Sequence, residues 1–339
     1  MYKIGVDAMG GDHAPAEIVK AAHMAVEKYP DIEVVLYGRT ADIKKHLPSD
    51  HKRISIVHCE EVIDMDVSDP AHAVRRQKDA SLVVASKAVK NKEIDALVSA
   101  GATGAIIAAG TLLVKRLKSA DRPALAPILP TVKKGRGTIL CDAGATSEAK
   151  ASYIYQNAKL ADVYAREVLG ITKPTIGLLN IGTEDSKGGE LQQEAFALLK
   201  ADTQLNFIGN VEAKSMISGE VDIIAADGYS GNVALKAVEG TAKDLLGLIK
   251  SEIMSTTKGK LGGLLLKDTF GRIKDTVNPK TVGGAILLGI NAPVIKSSGS
   301  SDAETFMYAI EHGKKAVEMD VVSKIDHALT ATKSKTSGE

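Results

Sequence analysis

Asp7, Gly10, Gly11, Asp12 and His13 fall in one short stretch, directly after the run Lys3 to Val6. That run reads as a buried strand. The glycine pair lets the backbone turn sharply. Pro15 then suits a helix start, where its missing N–H would be unpaired anyway. A strand that passes through a glycine turn into a helix aims N–H groups and a positive dipole end at one point, and that point suits an anion. The design recurs at 99–104 (Ser-Ala-Gly-Ala-Thr-Gly), 142–146 (Asp-Ala-Gly-Ala-Thr), 180–189 (Asn-Ile-Gly-Thr-Glu-Asp-Ser-Lys-Gly-Gly) and 227–232 (Asp-Gly-Tyr-Ser-Gly-Asn). A glycine and serine turn at 296–302 precedes the last helical pattern. Taken alone, each reads first as a tight turn with a Ser, Thr or Asp cap. Together, at the ends of neighbouring strands, they would form a rim of N–H and hydroxyl donors that fits phosphate better than an apolar ligand.

Within these turns Ser99, Gly101, Thr103, Gly104, Gly299, Ser300 and Ser301 are the candidate phosphate contacts. Lys187 can meet phosphate as a point charge, or serve as a solvated or ion-paired lysine. Arg122, before Pro123, offers the same choice. His13 is the one histidine of the first glycine loop. It can act as a general acid, or cap and pack. With Asn232, which closes the 227–232 turn, His13 and Lys187 form the candidate catalytic set. Cys141 ends a strand pattern and reads as a small buried thiol before it reads as a nucleophile. Asp7, Asp142 and Asp227 each follow a β pattern and either orient lysines or cap turns. No Gly-x-x-x-x-Gly-Lys-Ser/Thr string is present, and the first turn lacks Gly-x-Gly-x-x-Gly. The expectation is a phosphate site without a nucleotide, a cofactor or a metal.

The elements that must position these residues alternate along the chain. Strand patterns occur at 32–37, 54–58, 96–99, 138–142, 175–180, 207–209 and 221–227. Helical patterns occur at 15–28, 81–91, 103–117, 149–169, 189–200, 232–254 and 302–329. This alternation predicts an α/β fold with a mostly parallel sheet flanked by helices, its ligands outside the carboxyl ends of the strands. One large unit is expected over 1–331, with a frayed polar tail from Thr332. Two stretches break the rhythm. The proline-rich 121–130 reads as an arm, a lid or an interface element. The stretch 244–280, rich in Leu, Gly and Lys, reads as a protruding helix pair.

That protrusion holds Leu261, Leu264, Leu265, Leu266, Phe270, Ile273 and Val277, flanked by Lys258, Lys260, Lys267, Arg272 and Lys274. The pattern is amphipathic and basic, fit either to lie in a membrane interface or to pack its apolar stripe on the body or a second subunit. Leu264, Leu265, Leu266 and Phe270 are the candidate membrane contacts. The net charge of +1 and the 4% aromatic content argue against a nucleic-acid partner. The two cysteines make no metal-spacing motif and no disulfide framework, so a reducing cytoplasm is expected. No apolar run approaches bilayer-spanning length.

Several strings resemble, in order from about residue 2 to 325, the phosphate acyltransferase family of bacterial phospholipid synthesis. They are Val6-Asp-Ala-Met-Gly-Gly-Asp-His-Ala-Pro15, Asp121-Arg-Pro-Ala-Leu-Ala-Pro127, Leu178-Leu-Asn-Ile-Gly-Thr-Glu-Asp185, Ile208-Gly-Asn-Val-Glu212, Gly231-Asn-Val-Ala-Leu-Lys236 and Gly299-Ser-Ser-Asp302. The resemblance implies a fold similar to isocitrate and isopropylmalate dehydrogenases and phosphotransacetylases. It implies transfer of a fatty acyl group from acyl-acyl carrier protein to inorganic phosphate. It also implies a homodimer at the inner membrane face that feeds a membrane glycerol-3-phosphate acyltransferase. Ala102 and Thr146 stand where the family usually has asparagine, and Ser298 where histidine is common. Ala213-Lys214 replaces a short residue followed by arginine. These departures remove side-chain donors or a titratable group and leave the backbone design intact. The rival expectations are a dehydrogenase of the isopropylmalate type and a non-catalytic membrane scaffold.

Overall fold

A computed structural model describes residues 1–276 and 283–336. Val277, one of the expected interface residues, lies outside them, as does the side chain of Lys274. In chain order the first half runs β1 (Tyr2–Asp7), α1 (Ala16–Lys28), β2 (Ile32–Gly38), α2 (Thr40–Lys44), β3 (Ile54–His58), α3 (Pro70–Arg76), α4 (Ser81–Lys90), β4 (Ala96–Ser99) and α5 (Thr103–Ala109). There follow β5 (Ala124–Pro130), β6 (Gly137–Cys141), α6 (Ala151–Glu167), β7 (Ile176–Leu179), α7 (Glu190–Ala201), β8 (Phe207–Val211) and β9 (Ile223–Ala225). The chain closes with α8 (Gly228–Ser255), α9 (Thr257–Leu265), α10 (Lys267–Thr276), β10 (Ala285–Leu288), β11 (Val294–Lys296), α11 (Ala303–Glu318) and α12 (Val321–Thr336).

The eleven strands of the described residues form one sheet, ordered β3-β2-β1-β4-β11-β10-β5-β6-β9-β7-β8. β1 to β4 and β11 run parallel. β6 to β9 are parallel among themselves. The joints are antiparallel: β10 opposes both β11 and β5, and β5 opposes β6. The strands of the second half therefore run opposite to those of the first. The sheet is mostly parallel and helix-flanked, as the alternation predicts. The six turns, however, do not line one rim.

The stretch 121–130 is no lid. Most of it is β5, the strand that joins the halves. Ala124 to Pro127 pair with β10, and Ile128 to Pro130 pair with β6. Pro127 sits where the strand changes partner, a place that tolerates a missing N–H. The 302–329 pattern is two helices, parted at Asp320, whose φ of 49° no helix accommodates. The second continues to Thr336, so the expected frayed tail is helical through that residue. The 103–117 pattern is α5 followed by a π-helical turn over Gly110–Lys115.

Apolar side chains close both faces of the sheet. On one, α1 and α11 bury Ile18, Val19, Phe306 and Ile310 with Ile4, Val6 and Val98, and α6 continues this layer with Ile154, Leu160 and Tyr164. On the other, α4 and α5 bury Leu82, Val83 and Ile106 with Leu97, Leu125, Leu287 and Val294. The arm departs from both layers. α8 buries only Gly228, Gly231 and Leu235, and α9 buries nothing. Its Leu264, Leu265 and Leu266 are 69%, 79% and 50% exposed. Phe270 is half-buried. The expected helix pair is present as three helices, with Leu266 at the break between α9 and α10.

Candidate active site

Three of the six turns converge at the carboxyl ends of β1, β4 and β11. Asp7 is buried at the end of β1. Its carboxylate accepts from Ser81 Oγ at 2.6 Å, from Ser99 Oγ at 2.7 Å and from the Met9 N–H at 3.3 Å. Ser99 Oγ in turn accepts from the Gly101 N–H at 3.0 Å. Burial pushes the Asp7 carboxyl above the usual range, and these donors oppose that shift. A Cβ on Gly10 would lie 2.6 Å from Asp7 Oδ2 and 2.7 Å from the Gly101 nitrogen, so only glycine lets the first two turns touch. The third turn joins through the Asp12 N–H, which donates to Gly299 O at 2.9 Å, and the Ser297 N–H, which donates to Ser99 O at 2.8 Å.

This geometry divides the expected phosphate contacts. The Ser99 hydroxyl and the Gly101 N–H are committed to the frame, and Ser99 is fully buried. They shape the turn rather than face a ligand. Ser301 is also buried, its Oγ 2.9 Å from Ser297 Oγ. Thr103 and Gly104 open α5, where the first N–H groups have no intrahelical acceptor. Thr103 is half-buried and Gly104 exposed. Gly299 is half-buried and Ser300 exposed. These four remain open to an anion. His13 stands exposed beside them, and its ring bonds to no other described residue.

A second group forms at the ends of β6 and β9. The Asp142 carboxylate, buried, accepts from the N–H groups of Gly144, Ala145 and Thr146 at 2.8 to 3.0 Å. It also takes the Leu125 N–H of β5 at 2.9 Å. The donors of this turn are thus used by its own acid and are not free for a ligand. Asp227 caps α8 through the Ser230 N–H at 2.8 Å. A Cβ on Gly231 would lie 2.0 Å from Asp142 O, so the two turns interlock only because that residue is glycine. Asn232 Nδ2 donates to Ala143 O at 3.0 Å and is half-buried. All three flagged aspartates therefore cap turns. Cys141 is fully buried before Asp142, and burial first, then that neighbour, pushes its thiol far up.

The 180–189 turn stands apart. Asn180 Nδ2 donates to Lys187 O and Asn210 Oδ1, both at 3.0 Å, and Asn210 Nδ2 donates to Glu184 O at 2.8 Å. Lys187 Nζ is exposed, 3.8 Å from Glu184. β7 stands six positions from β4 in the sheet order, about 29 Å along the sheet at ~4.8 Å per strand. The turn therefore does not share an anion with 99–104 and 299–302, contrary to the expectation that Lys187 and its turn join them around one phosphate. Arg122 stacks on Tyr153 at 5.7 Å. Among the described residues no three His, Cys, Asp or Glu side chains gather as a metal cage.

Sequence reasoning missed two contributors. Ser81 opens α4, and only the fold shows that its hydroxyl reaches Asp7. Lys296 lies inside a flagged turn, yet its position on an apolar strand, after Val294 and Ile295, is what sets it apart.

Solved structures share this architecture. A phosphotransacetylase from Streptococcus pyogenes superposes with a TM-score of 0.63 at 17% identity, over 94% of each chain. A branched-chain phosphotransacylase from Enterococcus faecalis V583 gives 0.55 at 17%, over 94% of this chain and all of that one. A 4-hydroxythreonine-4-phosphate dehydrogenase from Klebsiella pneumoniae gives 0.53 at 14%, over 94% of this chain and all of that one. At such identities the likeness concerns the fold alone. Sequence relatives carry more. Proteins named phosphate acyltransferase from two Streptococcus pneumoniae strains, JJA and Hungary19A-6, are each 48% identical over 325 residues, 96% of this chain and 98% of theirs. The model of a family described as fatty acid synthesis protein matches residues 2–324. With nearly the whole chain aligned on both counts, the protein belongs to that fatty acid synthesis family and is an enzyme of its phosphate acyltransferase kind.

Proposed function

We propose that the acyl donor is acyl-acyl carrier protein, and that inorganic phosphate attacks the thioester directly to give acyl phosphate for phospholipid synthesis. Transfer of an acyl group to phosphate follows from the family. The observation that supports the finer reading is the convergence of the 99–104 and 299–302 turns on the Asp7 frame, which leaves the α5 start and the Gly299–Ser300 amides open while Glu17 and Asp302 take those at the start of α11. Phosphate is largely dianionic near neutral pH, and a thioester is already activated. A phosphate oxygen bonds to the carbonyl carbon, the C–S bond breaks, and the thiolate leaves with the carrier. Such a step needs positioning and oxyanion donors more than a nucleophilic side chain. Thr103, Gly104, Gly299 and Ser300 hold phosphate in this reading, inside the frame that Ser99, Gly101 and Ser301 shape. Asn232 and His13 flank the carbonyl from the two groups of turns. Lys187 meets the anionic acyl donor over the second half.

The reading extends to the setting. The chain works as a homodimer, cytoplasmic and peripheral to the inner membrane face, and hands its product to a membrane glycerol-3-phosphate acyltransferase. The bare leucines of the arm support this, and no described helix is long and apolar enough to cross a membrane. The test is phosphate-dependent loss of acyl-acyl carrier protein by the purified chain, with acyl phosphate as product. Cys141→Ala should keep most activity, since a thiol held protonated is a poor nucleophile. Ping-pong kinetics, or an acyl group trapped on Cys141 or any serine, would refute direct attack.

A further inference from the structure

Lys296 closes β11 with Ser99 of β4 on one side in register and Ala285 of β10 on the other. It shares a sheet face with Val294, two residues earlier. Val294 packs with Leu97, Ala102 and Ala105, and Ala145 lies against the same cluster. The lysine stem is therefore on the face that also carries Ala102 of the 99–104 turn and Ala145 of the 142–146 turn. The next residues of the chain are the 297–302 turn itself.

The ammonium is half-buried and forms no hydrogen bond or ion pair among the described residues. Other shielded lysines are matched. Lys159 meets Asp202 at 3.3 Å, and Lys314 meets Asp31 at 2.8 Å. The charged groups that face Lys296 are on α8: Lys236, which is already bonded to Glu239 at 2.7 Å, and Glu239 itself. Burial first, then Lys236, press the Lys296 ammonium below the ordinary lysine range, and Glu239 only partly opposes them. A cation shielded from water, beside a like charge and without its own counter-ion, is unfavourable until an anion completes it. The neighbouring turns supply neutral amides and hydroxyls, which leave a dianion's charge unbalanced.

We propose that Lys296 Nζ is the counter-ion of the phosphate held between the 99–104 and 299–302 turns, and so a phosphate-binding residue of this enzyme. This rests on the acyl-to-phosphate reading above and names the residue that carries the positive charge. The cation reaches the site from the sheet floor, while the turns close over the anion from the rim.

The experiment uses the full chain with Lys296→Met, which keeps the stem and removes the charge, and Lys296→Arg, which restores a charge. Inorganic phosphate is titrated by calorimetry, and the KM for phosphate and for acyl-acyl carrier protein are measured separately. Lys296→Met should weaken phosphate binding and raise its KM at least tenfold, with the acyl-donor KM within twofold. Its melting temperature should be unchanged or higher, since an unmatched charge is gone. Lys296→Arg should recover part of the affinity. Phosphate affinity within twofold of wild type in Lys296→Met overturns the proposal. So does a loss that comes with a lower melting temperature and no recovery in Lys296→Arg, because that marks a structural role. A wild-type chain that binds phosphate through Lys296 yet never consumes acyl-acyl carrier protein refutes the donor while this site stands. A wild type with neither phosphate binding nor phosphate-dependent turnover refutes both.

Discussion

Thr103 and Lys187 carry the same expectation in sequence, and their surroundings separate them. Thr103 stands at the first turn of α5, beside Gly101 and the Asp7 frame. Thr103→Ala should raise the KM for phosphate about tenfold, the effect of removing roughly 1.4 kcal/mol of binding. Lys187→Ala should leave that constant unchanged and instead lower kcat/KM for the acyl donor. Initial rates with each substrate varied in turn decide the matter, and a phosphate effect in Lys187→Ala would return the 180–189 turn to the phosphate site. His312 yields a prediction of another kind. Its ring is buried, with Nδ1 donating to Gly283 O at 3.1 Å and Nε2 accepting from Tyr164 Oη at 2.6 Å. Burial pushes it from the ordinary 6.5 down to about 4. Above pH 6.5 neither folded nor unfolded chain takes the proton, and the full contribution is present. As pH falls from 6.5 to 4 the unfolded chain binds a proton that the folded one refuses, so stability drops, by about 3 kcal/mol across the window. Urea midpoints at pH 7 and 4.5 should therefore fall less steeply in His312→Gln than in wild type. Identical slopes would show that another group titrates. At this scale the turns themselves were legible from Gly10, Gly101 and Gly299. Which donors stay free was not, because that depends on Asp7 and Asp142, each drawing in hydroxyl and amide donors from its own and neighbouring segments.

The strands and helices with clean periodicity were legible, and β5, β10 and β11 show why others were not. β5 carries Pro127 and Pro130 and follows Pro123, which conceal a strand that gives up ladder bonds only where it changes partner. β10 and β11 are four and three residues long, too short for a period to declare itself. The arm was legible because its leucines have no alternation that a sheet could use. The structure leaves Leu264, Leu265 and Leu266 open, with Lys258, Lys260 and Lys267 around them. Basic residues near an anionic bilayer contribute about 1 kcal/mol each. Replacing the three leucines together by serine should abolish salt-sensitive flotation with anionic vesicles and leave the chain folded and active on its carrier-bound substrate. If the triple variant unfolds or changes oligomeric state instead, the leucines serve a core or a subunit interface.

Across the whole molecule, the two halves of the sheet meet at β5 and β10, and the arm is inserted between them in sequence. Its outgoing helix, α8, is rooted at Asp227, in the second group of turns, and runs about 42 Å at 1.5 Å per residue. Its returning chain enters β10, which pairs with β11 and hence with Lys296 and the first group. Beyond its root at Asp227, α8 also packs Ala234, Leu235 and Val238 on the second half, with Leu129, Leu140 and Val211. The arm is thus braced where it leaves the second group of turns and bare from there to its tip. A contact made at the tip is thus held a helix length away from the turns, so whatever grips the leucines need not touch the residues around Asp7 and Asp142.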